Sequence, residues 1–313
     1  MELKDTQVLD KVSTLKLFEI QPEFLVHLIA NQYPINGDLL YTFQNQWDWH
    51  FLSENKDLNW SMVMLDQYKN KWDWGLSMNS GFPWSMELLE KYENGWDWGF
   101  LSLNSGLPWS EDLLHKYADR WDWTFLSMNS GLPWSEEFLL AYEDKWDWVN
   151  LSMNKGLPWS WEFFEKYIDR WDWNYLSTNV GLPWDEDFFE TYIDHWNWRK
   201  ISNNRGLEWN NLFFRQYFGK WDWQKLSENP GLPWSTTFFD AHKEKWHWSK
   251  LSENPGIPWS WELLMQYEKK WVWSALGNNK GVYKNIFAQV LDDDLVFEIM
   301  NRYKEKTYSV EDW

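Results

Sequence analysis

Along Gly156 to Asn179, GLPWSWEFFEKYIDRWDWNYLSTN, the apolar side chains Phe163, Phe164, Tyr167 and Trp171 fall at offsets of 0, 1, 4 and 8. That is one face of a 3.6-residue period, and it predicts a helix rather than an alternating strand. Ser160 stands where an N-cap belongs, with Trp161 first in the helix and Glu162 second, where a carboxylate meets the positive end of the helix dipole. Trp159, just before the cap, is expected to staple onto Phe164. Trp171 is expected to end this helix, with Arg170 in its last turn. Lys71, Arg120, Lys145, Lys220, Lys245 and Lys270 recur at the position of Arg170 and read first as charges suited to a helix C-terminus, second as a binding stripe.

A second, shorter helix follows. Asp172 can cap it, Trp173 and Leu176 share a face, and Asn179 ends it with a residue that tolerates the left-handed conformation. Gly181 and Pro183 then predict a turn and an extended link. Asn recurs in every unit from Asn55 to Asn279, and its side chain is expected to tie down the loop between units. Asn197, His247 and Val272 replace the capping Asp, and of these only Asn197 is also a good cap.

The pattern is a tandem repeat. The first Trp of a Trp-x-Trp pair recurs from Trp47 to Trp271 in ten copies spaced 25 residues apart, broken once where Trp72 and Trp96 are 24 apart. A third Trp closes each GLPWS-like element, so 29 of the 32 tryptophans sit at repeat positions, leaving Trp161, Trp261 and Trp313. A residue needed once per unit is explained by packing between units, whereas an active site needs its special residues once. Trp121, Trp123, Trp134, Trp146, Trp148, Trp171 and Trp173 are therefore read as repeat core.

Two helices too small to bury their own apolar faces imply stacking. The fold class is all-α: an α-solenoid of about ten tandem 25-residue, two-helix, Trp-rich repeats over residues 36–281. Residues 1–35 and 282–313 leave the motif and are expected to be helical caps at the two ends. Asn36 to Trp47 opens a degenerate first unit, with Leu39, Leu40 and Phe43 on its apolar face. A β-propeller blade needs about 40 residues and strand alternation, which this repeat lacks.

Composition narrows the chemistry. There is no cysteine, which removes disulfides, thiolate zinc sites and a cysteine nucleophile. No segment has the length and apolar character of a signal peptide or a membrane span, so a cytoplasmic protein away from membranes is expected. A formal charge of −19 disfavours general nucleic-acid binding and suits a basic protein partner. The charge is blocked: residues 161–195 carry a net of −7 and residues 196–225 a net of +4.

Catalytic signatures are not found. The six histidines form no metal-ligand spacing, and His242 stands where other units place Tyr, as a packing variant. Ser127 and Ser152 recur without a base beside them, and nothing marks an acid pair such as Glu186 and Asp194 among so many acids. No phosphate-binding or nucleophile-elbow motif occurs, and neither a cofactor nor a metal is expected. The unit around residues 277–285, GNNKGVYKN, departs most from the pattern and is where a single site built into a cap is to be sought.

Positions that vary between units are the informative ones, because packing does not dictate them. Four residues after each first Trp the chain reads Phe51, Phe100, Phe125, Asn150, Tyr175, Lys200, Lys225, Lys250 and Ala275. A half-buried then solvated helix face accounts for this row, and a ligand-reading stripe is the sharper reading. Phe51, Phe100, Phe125, Tyr175, Arg199, Lys200, Lys225 and Lys250 are the candidate partner-binding residues. The expectation is a non-enzymatic scaffold for a protein or peptide, including an acidic inhibitor or immunity protein of a basic partner. The alternative is a carbohydrate-binding array that uses exposed Trp and Asp.

Overall fold

The computed structural model describes residues 9–311; residues 1–8 and 312–313 of the two terminal segments, Trp313 among them, lie outside it. Every regular element among the described residues is helical, and Trp-rich helices recur along the chain. The chain divides into two compact units. One joins the chain up to Asp73 with the chain from Trp234 onward, and the other is Trp74–Pro233.

Within Trp74–Pro233 each repeat follows the capping logic of its sequence. Ser160 accepts from Phe163 N at 3.0 Å to start the helix Trp161–Lys166, and Asp172 accepts from Tyr175 N at 2.9 Å to start the helix Trp173–Leu176. Both caps satisfy backbone donors that have no partner inside the helix. Where the spacing drops to 24 residues, the short helix is replaced by a 3₁₀ segment, Trp74–Met78.

The first helix is shorter than its apolar period predicts. It stops at Lys166, Tyr167 ends it, and Trp171 is already extended at φ −76°, ψ 141°. The indole explains why. Trp171 Nε1 donates to Phe164 O at 2.9 Å, taking a carbonyl of the helix's last turn, and Trp146, Trp196 and Trp221 do the same seven residues back. The first Trp of every pair is 4–6 % exposed, so these indoles are core. The staple also differs from expectation: Trp159 meets Phe163 edge to face with centroids 5.7 Å apart, so the partner is the third helical residue and not Phe164.

Asn179 is not left-handed, and no described residue has a positive φ. Its Nδ2 donates to Ser152 O (2.9 Å) and Asn154 O (3.2 Å) of the preceding repeat, while Oδ1 accepts from Gly181 N at 2.8 Å. The inter-repeat loop is tied down as expected. Gly181 is needed for close approach: a Cβ there would sit 2.6 Å from Lys155 O. The recurrent serine also joins repeats, since Ser152 Oγ donates to Trp148 O and accepts from Asp172 N of the next unit.

In the other unit, Asn36 accepts from Leu39 N at 2.9 Å and starts the helix Gly37–Thr42, with Leu39, Leu40 and Phe43 buried as the degenerate first repeat requires. The helix Pro22–Gln32 packs against the helices Trp49–Glu54, Trp273–Leu276 and Asp293–Glu311. Asn55 Nδ2 donates to Ala30 O and Tyr33 O, as Asn179 does to its preceding repeat. Phe24 meets Trp273 at 5.1 Å, and Asn31 donates to Asn278 Oδ1 at 2.7 Å. Gly277 stands where other repeats have Ser, and a Cβ there would lie 3.1 Å from His27 Cβ. The residues before the first repeat and those after the last therefore share one apolar core, with Lys11 paired to Asp292 and Lys306 to Glu19 at 2.7 Å each.

His247 and Val272 make no side-chain cap, whereas Asn197 does. The backbone at Val272, φ −88° and ψ 96°, is close to that of the capping Asp residues, and the site is exposed. Val272→Asp should raise stability by about 1 kcal/mol by urea melt. An unchanged midpoint would show that the helix start is already satisfied by other means.

Candidate functional site

The half-buried face of each repeat is built around the second Trp of the pair. In Trp74–Pro233, Trp148 is covered by Tyr167 (5.3 Å) and Trp171 (5.0 Å) of the next repeat, and Arg170 places its guanidinium 3.7 Å from the ring centroid. Lys145 lies over Trp123 at 4.6 Å and Arg120 over Trp98 at 5.3 Å, while His195 packs at a tilt on Trp173 with centroids 4.4 Å apart. Lys71, Arg120, Lys145, Arg170, Lys220 and Lys270 of the basic ladder therefore make cation–π contacts to the preceding repeat. The α-helix ends before reaching the ladder, but Lys145 and Arg170 each close a short 3₁₀ helix, Glu143–Lys145 and Ile168–Arg170, as the expected last-turn charges. His242, at the Tyr position, packs on Phe238 and Trp246 in the other unit.

The variable row lies on the short helices and is half-buried, with Phe100 40 % exposed. Two of its successive members touch: Lys200 Nζ is 4.3 Å from the Tyr175 ring. Lys225 pairs with Glu228 at 2.8 Å, and exposed Arg199 reaches Asp222 at 3.6 Å. Phe100, Phe125, Tyr175, Arg199, Lys200 and Lys225 thus fall in one unit, in repeat order. In the other unit Phe51 packs on His27 at 4.6 Å, and Lys250 pairs with Glu253 at 3.0 Å. At the departing segment 277–285, Asn279 Nδ2 bonds Ser252 O and Asn254 O, and its Oδ1 accepts from Gly281 N, the structural role it has elsewhere.

A groove of about 280 Å³, missed in the sequence reading, opens between the two repeats that start at Asp185 and Asn210. Trp184, Phe213 and Leu212 supply apolar lining, and Asp185, Glu186 and Glu208 supply carboxylates. Leu212 is 80 % exposed. No ion pair is formed by these three carboxylates among the described residues. Beside the groove, Tyr217 OH donates to Glu190 at 2.8 Å, and burial together with that carboxylate pushes the phenol pKa up to about 12. The available signal was a pair of breaks in the repeat, Asp185 for Ser and GLEWN for GLPWS.

No family model, curated protein or solved structure matches this chain.

Among the described residues no helix is long and apolar enough to cross a membrane, and no group of three or more His, Asp or Glu side chains is placed to hold a metal ion. The groove and the variable row are the surfaces whose chemistry changes from repeat to repeat.

Proposed function

We propose that the chain is a non-enzymatic scaffold, an α-solenoid of about ten tandem repeats that holds a protein or peptide partner in the cytoplasm. Its acidity suits a basic partner, including one that it inhibits by masking. One observation carries the reading: the residues common to all repeats are spent on packing between units, while the row from Phe100 to Lys225 varies in character on a face that packing leaves partly open. The carbohydrate alternative needs open indole faces. It is less well supported, because Trp98, Trp123 and Trp148 are covered by the next repeat's cation and aromatic rings.

Capture from the native host's lysate at low and high salt tests the proposal. One stoichiometric, salt-sensitive protein is expected on the wild-type chain, and its retention should fall about tenfold or more on a Phe100→Ala, Phe125→Ala, Lys200→Ala, Lys225→Ala variant that still melts cooperatively. Unchanged retention by that variant sinks the assignment of this face. Retained glycan without protein sinks the scaffold reading.

A further inference from the structure

Equivalent places between consecutive repeats of Trp74–Pro233 are filled differently, and the comparison identifies what the groove lacks. Between the repeats starting at Ser135 and Ser160, the first helical residue is Glu136. It accepts from Lys166 Nζ and, at 3.0 Å, from Tyr167 OH, and these partners hold its carboxyl below the ordinary range. Between the next two repeats the same helical position is Trp161. Its indole covers Phe188 edge to face at 5.4 Å, with Nε1 on Glu165 at 3.0 Å. One step further the position is Glu186, and both fillers are missing. The Trp161 indole has no counterpart at Glu186, and Gln216 stands where Lys166 stood, donating to Glu190 and Tyr217 instead.

Packing differs there as well. The third residue of the first helix is buried at Leu88, Leu113, Phe138, Phe163 and Phe188, but Phe213 is half-buried on the floor of the groove. We propose that this groove receives an arginine or lysine side chain, with an adjacent apolar residue, from a basic segment of the protein partner. The cation meets Glu186, Asp185 and Glu208 as Lys166 meets Glu136, its alkyl stem lies on Phe213, and the apolar neighbour lies on exposed Leu212. The volume, about 280 Å³, is below the usual span of small-molecule pockets and fits a side chain. This inference rests on the scaffold reading and names the chemistry of the partner at one place on it.

The test uses the full chain and a labelled, amidated short peptide of alternating arginine and leucine, read by fluorescence anisotropy. The wild type should bind it in a salt-sensitive way. Glu186→Trp, which installs the filler its neighbour uses, and the pair Glu186→Gln with Glu208→Gln should each weaken binding about tenfold or more. The pair Glu111→Gln with Asp112→Asn removes the same charge from an exposed first turn in another repeat and should change it less than about twofold. Equal losses in the two charge-removing pairs, full binding by Glu186→Trp, or no binding by the wild type would each overturn the proposal. If the peptide test fails while lysate capture succeeds, the groove falls and the scaffold stands. If the peptide binds this groove while the lysate yields no protein, the scaffold reading falls instead.

Discussion

Trp171→Ala should cost about 3–5 kcal/mol of stability, the range for emptying a buried aromatic site. The indole is 5 % exposed and sits between Trp148 at 5.0 Å and Trp159 at 4.9 Å, so its removal opens a cavity between the rings of one repeat and those of its predecessor. The loss is compounded by its hydrogen bond, because Phe164 O then lacks the N–H that reached it at 2.9 Å. Trp171→Phe separates the two effects, since it keeps most of the ring contact and removes only the donor. It should cost about 1–3 kcal/mol. Guanidinium melts of the full chain measure both, and a loss below about 1 kcal/mol for the alanine variant would show that the tryptophan is not a packing residue.

Much of this was legible because the interactions are local and repeated. Ser160 and Asp172 could be read as caps, since a cap is a contact with residues two or three positions ahead. The recurrence of Trp marked it as core because a periodic demand can only be met by a periodic role. Where a local pattern stops is decided by contacts outside it. The apolar period runs on to Trp171, but the α-helix gives way after Tyr167 to a 3₁₀ turn, Ile168–Arg170, and the backbone is extended at Trp171, whose indole bonds back onto the helix. Arg170 does close a helical segment, Ile168–Arg170, but it also lies on an aromatic face of the preceding repeat, Trp148, a contact that spacing within one unit does not encode.

Two further features depend on residues distant in sequence. The helix Pro22–Gln32 carries none of the repeat's tryptophans, yet Ala30 O takes the bond from Asn55 that a preceding repeat supplies elsewhere, and Gly277 makes room for His27. The groove at Glu186 is visible only when one interface is compared with its neighbours, because each residue in it is ordinary by itself. Repeats make that comparison possible: the chain carries its own controls, and a departure such as Gln216 for Lys166 is read against the position it replaces.

Asn129→Ala is expected to cost about 2–4 kcal/mol, more than a loosened loop accounts for. The side chain is 1 % exposed and holds three hydrogen bonds: Nδ2 to Ser102 O at 2.8 Å and to Asn104 O at 3.2 Å, and Oδ1 from Gly131 N at 2.8 Å. Alanine leaves Ser102 O of the preceding repeat and the Gly131 N–H without partners in a largely buried place, while Asn104 O keeps the Trp109 indole at 2.9 Å. The residue's own carbonyl still accepts from Trp134 Nε1 at 2.8 Å, so the loop keeps one anchor and the damage falls on the junction with the preceding repeat. Asn129→Asp sharpens the test, because it keeps the acceptor and replaces the donor with an oxygen facing two carbonyl oxygens. Near neutral pH it should be less stable than the alanine variant. Burial beside those carbonyls raises the folded-state pKa of such a carboxyl, so the protonated form is favoured in the fold and the deficit shrinks as the pH falls through that value. Urea melts of both variants at two pH values, with hydrogen exchange at the Gly131 amide, decide the matter. A cost under about 1 kcal/mol with Gly131 still protected would mean that this asparagine does not hold the junction between repeats.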